Sequence, residues 1–168
     1  MIETIQSLNH ALALGGLLGI VVIPLLIFDL RVKKILARMV QEWGMKLALL
    51  VSFGSTVMTL VYSEYFGIVP CGLCWLERIA LYPQVLLLAV ALYYNDARMP
   101  RYGIALSIFG LVVSLYHHYI QMGGSQFIKC PASGAGDCAK RFIFEFDFMT
   151  FPLMAGILFA FLIVLYTY

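Results

Sequence analysis

Two cysteines separated by two residues, Cys71 and Cys74, form the pair in this sequence best suited to chemistry. Pro70 and Gly72 favour a turn, and a helix is expected to begin at or near Cys71. The free N–H groups and positive dipole end of a helix N-terminus favour the thiolate form of a cysteine there. Arg78 follows Cys74 by four residues, so its guanidinium and that sulfur are expected on one helix face. This pattern indicates thiol redox chemistry.

Structural roles for the cysteines are the alternatives. Zinc needs four closed ligands, and Cys130 and Cys138 would complete such a Cys₄ set; two static disulfides are the other possibility. An arginine one turn from a zinc-bound thiolate has no structural purpose. A thiol that attacks or leaves does benefit from an adjacent positive charge, so the redox interpretation is favoured.

The composition predicts an integral membrane protein. Of 168 residues, 62% are hydrophobic and only 12% are charged, and the mean hydropathy is +0.93. A net charge of +2 with no basic tract gives no indication of nucleic-acid binding. The four cysteines fall in two short polar connections, which suits the oxidising face of a membrane.

Five apolar segments are expected to cross the bilayer, at residues 11–28, 45–66, 75–94, 102–121 and 150–167. Between the first two, residues 31–43 have apolar side chains at helical spacing and predict a short amphipathic helix in the membrane interface, with an ordinary connecting helix as the alternative. Gly123 suits the stop of the fourth span, and Thr150 suits the start of the fifth. Alternating phenylalanines at residues 142–148 suit a segment lying on the membrane surface, and a plain aromatic girdle explains them equally well. The predicted fold is an all-α membrane protein.

The distribution of Lys and Arg predicts the orientation. Seven basic residues lie in the connections on one side: Arg31, Lys33, Lys34, Arg38, Lys46, Arg98 and Arg101. Four lie on the other side: Arg78, Lys129, Lys140 and Arg141. The positive-inside rule places the seven in the cytoplasm, so both cysteine pairs are expected on the outer face.

Two stretches resemble a known family. Residues 71–78, Cys-Gly-Leu-Cys-Trp-Leu-Glu-Arg, resemble the Cys-x-Leu-Cys-x-x-Glu-Arg signature of bacterial membrane disulfide oxidoreductases of the DsbB/BdbC type. Residues 114–121, Ser-Leu-Tyr-His-His-Tyr-Ile-Gln, are similar to the Ser-x-Tyr-His-x-x-x-Gln stretch of the BdbC branch, where His117 is the matching histidine. The order of the two cysteine pairs also matches. The resemblance covers about residues 45–168.

The chain departs from this family in two ways. The family core has four spans, so we divide the chain into a four-helix oxidase core at residues 44–168 and an N-terminal part at residues 1–43. The N-terminal part contains an extra transmembrane helix and the interfacial helix. In addition, only seven residues separate Cys130 from Cys138, which is closer to the short-loop branch of the family.

The resemblance implies a relay of disulfide exchange in the bacterial cytoplasmic membrane. The catalytic residues would be Cys71, Cys74, Cys130 and Cys138, with no metal. A soluble, extracytoplasmic, DsbA-like thioredoxin-fold partner would be oxidised by the second pair, and ubiquinone or menaquinone would accept the electrons from the first. Cys74 would act on the quinone as a thiolate held by Arg78, with His117 as a proton donor. Glu77 adjoins Arg78 and could be its partner, although neighbouring helical residues do not face each other directly.

A reversed electron flow is the remaining alternative. Quinone reductases of the vitamin-K-epoxide-reductase type have related chemistry. Their loop cysteines precede the Cys-x-x-Cys motif, whereas Cys130 and Cys138 follow it here. The order therefore favours a disulfide oxidase.

Overall fold

The computed structural model describes residues 2–33, 37–127, 130 and 137–167. Most of them belong to five α-helices: α1 Ile2–Phe28, α2 Ala37–Leu60, α3 Gly72–Tyr94, α4 Met99–Gln121 and α5 Phe151–Thr167. Two π-helical turns, Asp29–Lys33 and Val61–Tyr65, continue α1 and α2. The loop tip at 131–136 and two residues used for the orientation, Lys34 and Lys129, lie outside the described residues.

Helices α2, α3, α4 and α5 form a closed ring, in which each helix packs against its two neighbours. The interior is filled by small and large apolar side chains, including Ala48, Ala80, Leu88, Phe159 and Leu162. Helix α1 lies outside this ring and packs mainly against α5. The predicted fold class, a four-helix core with one extra N-terminal helix, is confirmed.

The outer surface of the helices is apolar. Within the described part of the chain, four segments are long and apolar enough to cross a membrane: Thr4–Val32, Val40–Tyr65, Gly72–Tyr94 and Met99–Gln121. Helix α5 is apolar but shorter, with 17 residues. Large side chains such as Leu18, Leu50, Leu86 and Val112 are more than half exposed. Apolar surface on helices of bilayer length faces lipid, so this is a multi-pass membrane protein.

Local sequence signals set the helix ends near the cysteines. Cys71 is the N-cap of α3, and its sulfur accepts a hydrogen bond from the Cys74 backbone N–H. Helix α4 ends just before Gly123, whose φ of 96° is left-handed. Thr150 Oγ1 accepts a hydrogen bond from the Leu153 N–H and thereby starts α5. The helix start at Cys71, the stop at Gly123 and the start at Thr150 were all predicted from the sequence.

The described residues do not show residues 31–43 as a separate helix, and residues 34–36 lie outside them. Its second half, residues 37–43, is the first part of α2, while Arg31 belongs to the π-helical turn after α1. Nothing in the sequence stops α2 in this region. Gly44 continues the helix at a point where a Cβ would lie 3.6 Å from the carbonyl oxygen of Leu165 on α5.

The stretch with alternating phenylalanines contains a small β-hairpin. Strands β1 Phe144–Glu145 and β2 Met149–Thr150 pair antiparallel, immediately before α5. Phe146 and Asp147 in the connecting turn have φ values of 55° and 63°. Such left-handed positions are uncommon for a phenylalanine, and the alternating phenylalanines did not indicate a turn there.

Candidate active site

The two sulfurs of the Cys-x-x-Cys pair lie together at the start of α3. Cys71 Sγ and Cys74 Sγ are 2.6 Å apart, compared with about 2.0 Å in a disulfide, so a small movement would join them. Cys71 is only 2% exposed, whereas Cys74 is partly exposed. The hydrogen bond from the Cys74 thiol lowers the pKa of the Cys71 thiol; burial opposes this less strongly, and the hydrogen bond and charge of His117 lower it further. Cys71 is thus the sulfur best able to hold a negative charge when the pair is reduced.

His117 connects this pair to an acidic side chain. It lies on α4, is 1% exposed, and directs Nε2 toward Cys71 Sγ at 3.6 Å. Its Nδ1 lies 2.9 Å from Glu77 Oε1 on α3. A carboxylate on one ring nitrogen fixes the orientation of the imidazole and stabilises its protonated form. Cys71, His117 and Glu77 therefore form a continuous path along which a proton can move.

Gln121 joins the same cluster one turn after His117. Its Nε2 lies 3.4 Å from His117 Nε2 and donates a hydrogen bond to the Lys140 carbonyl at 3.2 Å. The backbone carbonyl of Gln121 accepts a hydrogen bond from Arg141 Nε at 2.6 Å. These bonds attach the segment after Cys138 to the end of α4.

The second cysteine pair is a disulfide beside the first pair. Cys130 and Cys138 are bonded, with their Cα atoms 6.1 Å apart. Cys138 and Cys71 belong to one buried cluster with Leu73 and Ile120, and Cys74 and Cys130 pack against it. Cys138 is fully buried, whereas Cys130 is partly exposed. The short loop thus brings both pairs into one site.

A pocket opens next to Cys74 between α2, α3, α4 and α5. Its walls are mostly apolar and aromatic: Tyr62, Ile68, Val69, Pro70, Leu81, Phe142, Phe151, Ala155, Leu158 and Phe159. Polar groups line it as well: Thr59, Cys74, Glu77, Arg78, His117, Gln121 and Lys140. Its volume is about 760 Å³ when the part open to the outside is included. A lining of apolar and aromatic side chains with a few polar groups is typical of sites for organic ligands.

Arg78 is held at the pocket by a backbone carbonyl. Its Nη2 donates a hydrogen bond to the Thr59 carbonyl at 3.0 Å, and its guanidinium lies 5.3 Å from the centre of the Trp75 ring. The expected sharing of one helix face with Cys74 agrees with the presence of both side chains in the pocket wall. The guanidinium retains further N–H groups that can bind an anion or an oxygen.

The structure separates the two neighbouring histidines. His117 lines the pocket, whereas His118 Nδ1 lies 2.8 Å from Thr150 Oγ1, the residue that starts α5. Glu77 was weighed from the sequence as a partner of the adjoining arginine, and the structure pairs it with His117. Tyr62 and Gln121 were not singled out from the sequence as site residues. The helical spacing of Gln121 from His117 would have indicated its place, but nothing comparable exists for Tyr62.

Comparison with known proteins shows the family of this chain. The family model "Disulfide bond formation protein DsbB" matches residues 41–168. The chain belongs to the DsbB family. It is 38% identical over 109 residues to the SPbeta prophage-derived disulfide bond formation protein B of Bacillus subtilis, covering 65% of this chain and 73% of that protein. It is 36% identical over 118 residues to the disulfide bond formation protein C of the same organism, covering 70% and 82%. A probable disulfide formation protein C 1 of Bacillus anthracis is 36% identical over 115 residues, covering 68% and 83%.

No solved structure matches the chain. Membership of the DsbB family nevertheless confirms the resemblance found from the two sequence stretches. The protein is an oxidoreductase of the membrane that forms disulfide bonds.

Proposed function

We propose that this protein passes electrons from a soluble thioredoxin-like dithiol partner, through its two cysteine pairs, to ubiquinone or menaquinone. The location is the bacterial cytoplasmic membrane, with both pairs on the outer face. One observation carries the proposal: the Cys71/Cys74 pair lies between an apolar pocket and the Cys130–Cys138 disulfide. A pair in this position can exchange with a second disulfide on one side and deliver electrons on the other.

The exchange steps each move two electrons. A thiolate of the partner attacks the Cys130–Cys138 disulfide, the partner leaves with its own disulfide, and Cys130 and Cys138 become thiols. They then reduce the Cys71–Cys74 disulfide in the same way and return to their bonded state. The partly exposed Cys130 is the sulfur that the partner meets, because Cys138 is buried.

The two sulfurs of the first pair have different tasks. Cys74 faces the pocket, while Cys71 faces His117. When the pair is reduced, His117 takes up the Cys71 proton and Glu77 stabilises the resulting imidazolium through Nδ1. Arg78 contributes a fixed positive charge to the pocket wall.

The residues of the pocket fit a quinone. Gln121 Oε1 is buried and has no hydrogen-bond partner among the described residues, so it is an acceptor for a hydroxyl of the reduced quinol. Arg78 offers donors to a quinone oxygen, and Tyr62, Phe151 and Phe159 supply apolar aromatic walls. A quinone held there would supply the terminal oxidation, which takes up two electrons and two protons from the Cys71/Cys74 dithiol.

We assign this activity to the four-helix core at residues 44–168 and treat residues 1–43 as an addition to it. The family match at residues 41–168 supports that division. The orientation is supported by the positions of the pocket and both cysteine pairs. They lie at the end of the bundle opposite the loop that contains Arg98 and Arg101.

The test is anaerobic oxidation of a reduced thioredoxin-fold protein by the full-length protein in detergent, with a short-tailed ubiquinone or menaquinone added. We expect partner thiols to disappear as the quinone is reduced, with one quinone reduced for each partner disulfide formed. Single Cys→Ala variants at positions 71, 74, 130 and 138 should each abolish this activity, because every sulfur is needed for the relay. Ser125→Ala, at an exposed position in the second loop, is the matched control and should remain active.

Three outcomes would overturn the proposal. Partner oxidation at the normal rate by any one of the four variants would exclude the relay. Partner oxidation without quinone reduction would exclude the quinone as the electron acceptor. Reduction of an oxidised partner by added quinol, with no activity in the forward direction, would instead favour a reductase of the vitamin-K-epoxide type. Metal analysis addresses the Cys₄ alternative, since one tightly bound zinc that protects all four thiols would establish it.

A further inference from the structure

Helix α1 lies outside the family match but is anchored to the active-site end of the core. Gly16 packs so closely on α5 and β2 that an added Cβ would lie 3.2 Å from Met149 and 3.3 Å from Met154. His10 Nδ1 lies 3.5 Å from Glu145 Oε2 on β1, and its ring is 5.5 Å from that of Phe146. The N-terminal part of α1 is thus fixed against the hairpin that follows the second cysteine pair.

One polar contact joins α1 to the pocket wall. The Tyr62 hydroxyl donates a hydrogen bond of 2.6 Å to Asn9 Oδ1. Asn9 is 9% exposed and Tyr62 is 3% exposed, so both side chains are buried inside the protein. A buried hydroxyl without a partner costs free energy, and Asn9 is the hydrogen-bond partner that the structure gives to this hydroxyl.

Tyr62 is part of the pocket wall, so its contact with Asn9 affects the shape of the pocket. Tyr62 lies in the π-helical turn Val61–Tyr65 at the C-terminal end of α2. Its ring is perpendicular to that of Phe151, with the centroids 4.7 Å apart, and both rings line the pocket. The hydrogen bond to Asn9 therefore fixes one side of an aromatic corner of the pocket.

We propose that Asn9 is a positioning residue for quinone binding: through the Tyr62 hydroxyl, the extra helix α1 holds the Tyr62–Phe151 corner in the shape that receives the quinone ring. This inference rests on the proposed quinone function. It assigns to the N-terminal helix a role in the affinity of the core pocket. Asn9 does not touch the reacting sulfurs, so the exchange between the two cysteine pairs does not depend on it.

The test compares Asn9→Leu with Gln6→Leu, which makes the same kind of change at an exposed position of α1. Quinone binding is measured without turnover, by quenching of tryptophan fluorescence in quinone-stripped full-length protein, with a short-tailed ubiquinone or menaquinone. We expect the Kd of Asn9→Leu to rise about three- to tenfold, as loss of one hydrogen bond predicts. The KM for quinone should rise by the same factor, with kcat and quinone-free exchange nearly unchanged. Gln6→Leu should match the wild type.

Tyr62→Phe completes a double-mutant cycle. Once the hydroxyl is absent, Asn9→Leu removes nothing further, so the double variant should bind quinone as Tyr62→Phe does. The Tyr62→Phe variant leaves no unpaired hydroxyl. If Asn9→Leu alone fails to fold, the Kd of Tyr62→Phe can still be compared with that of the double variant.

Two results would overturn the role of Asn9. One is an unchanged Kd in Asn9→Leu, and the other is an equal effect of Asn9→Leu in the wild-type and Tyr62→Phe backgrounds. If the wild type binds quinone and either of these results is found, only the role of Asn9 is refuted. No quinone binding or reduction by the wild type would refute the quinone function itself.

Discussion

Cys71 and Cys74 are three residues apart but occupy different surroundings. Cys71 is buried against His117 and in the cluster that contains Cys138, whereas Cys74 lines the apolar pocket. Since one residue of each cysteine pair lies in the buried cluster, exchange between the pairs requires only local movement. We therefore propose different roles for the two sulfurs: Cys71 would take part in exchange and proton transfer, and Cys74 would react with the ligand of the pocket.

The lowered pKa of Cys71 predicts a thiolate in the reduced protein at neutral pH. In a Cys130→Ser/Cys138→Ser variant, the thiolate absorbance should persist as the pH falls from about 8 to about 6, below the usual cysteine pKa of about 8.5. Protonation then occurs only as the pH passes through the lowered pKa. His117→Gln should move this transition to higher pH, because the charge and part of the hydrogen bonding are lost. A transition near pH 8.5, about the usual cysteine value, in the parent variant would contradict the geometry.

Arg78 should matter for quinone use more than for thiol exchange. Lysine keeps the charge but loses the planar fork that reaches the Thr59 carbonyl and the pocket together. We expect Arg78→Lys to weaken quinone use by about ten- to a hundredfold, as loss of a charge-assisted hydrogen bond predicts. Arg78→Met should weaken it further. Arg101→Lys, at an exposed position on the far side of the bundle, is the control. Quinone-dependent turnover is compared with quinone-free exchange, and unchanged quinone dependence in Arg78→Met would make Arg78 an ordinary interfacial anchor.

The sequence predicts residues of the site that lie close together along the chain. The spacing of Cys71, Cys74 and Arg78 on one helix indicates their chemistry without a structure. The contact between His117 and Glu77 depends on the rotation of α4 against α3, which spacing within a single helix does not determine. The contact of Tyr62 is still harder to predict, because its partner Asn9 lies 53 positions away on a helix outside the family match.

Between helices, α4 and α5 pack through glycines that receive aromatic rings. An added Cβ on Gly103 would lie 2.6 Å from Tyr166, and one on Gly110 would lie 2.4 Å from Phe159. Both partners advance by seven residues in opposite directions, as antiparallel helices with a seven-residue repeat require. Small residues allow such close packing in a membrane, where the hydrophobic effect does not drive helices together. The apolar sequence predicts these helices, but not which glycine receives which ring.

Gly110→Ala should therefore disturb both the bundle and the pocket. The added methyl group forces Phe159, a buried residue of the pocket wall, to move. We expect the free energy of unfolding to fall by about 1–3 kcal/mol, as for other overpacked cores. Gly54→Ala in α2 is the control, because nothing lies within 4 Å of its added Cβ. Unfolding by SDS in mixed micelles measures both variants, and equal stabilities would show that α4 and α5 tolerate wider separation.

At the scale of the whole molecule, all the redox groups lie at one end of the bundle. Helix α3 begins there with the first pair, α4 ends there with Gln121, and the second pair lies in the following connection. The opposite end contains the α3–α4 loop with Arg98 and Arg101. In the proposed orientation, this separation would let the redox end meet secreted thiols while the positive loop faces the cytoplasm. Composition predicts the membrane, and the order of the spans predicts both pairs at one end, but the contact between the pairs depends on the packing of the helices.

The orientation of this bundle can be measured with two single cysteines in a cysteine-free background. Ala97→Cys lies in the exposed α3–α4 loop, and Ser125→Cys is exposed after α4, at the end with the redox pairs. An impermeant maleimide added to intact cells should label position 125, and it should label position 97 only after the membrane is permeabilised. The physical basis is the excess of basic residues on the α3–α4 side, which resists translocation. Blocking with the same reagent before permeabilisation provides the control for cell integrity. Labelling of position 97 from outside, with position 125 protected, would show that the orientation is the opposite one. Cys130 would then be inaccessible to any extracytoplasmic thiol partner.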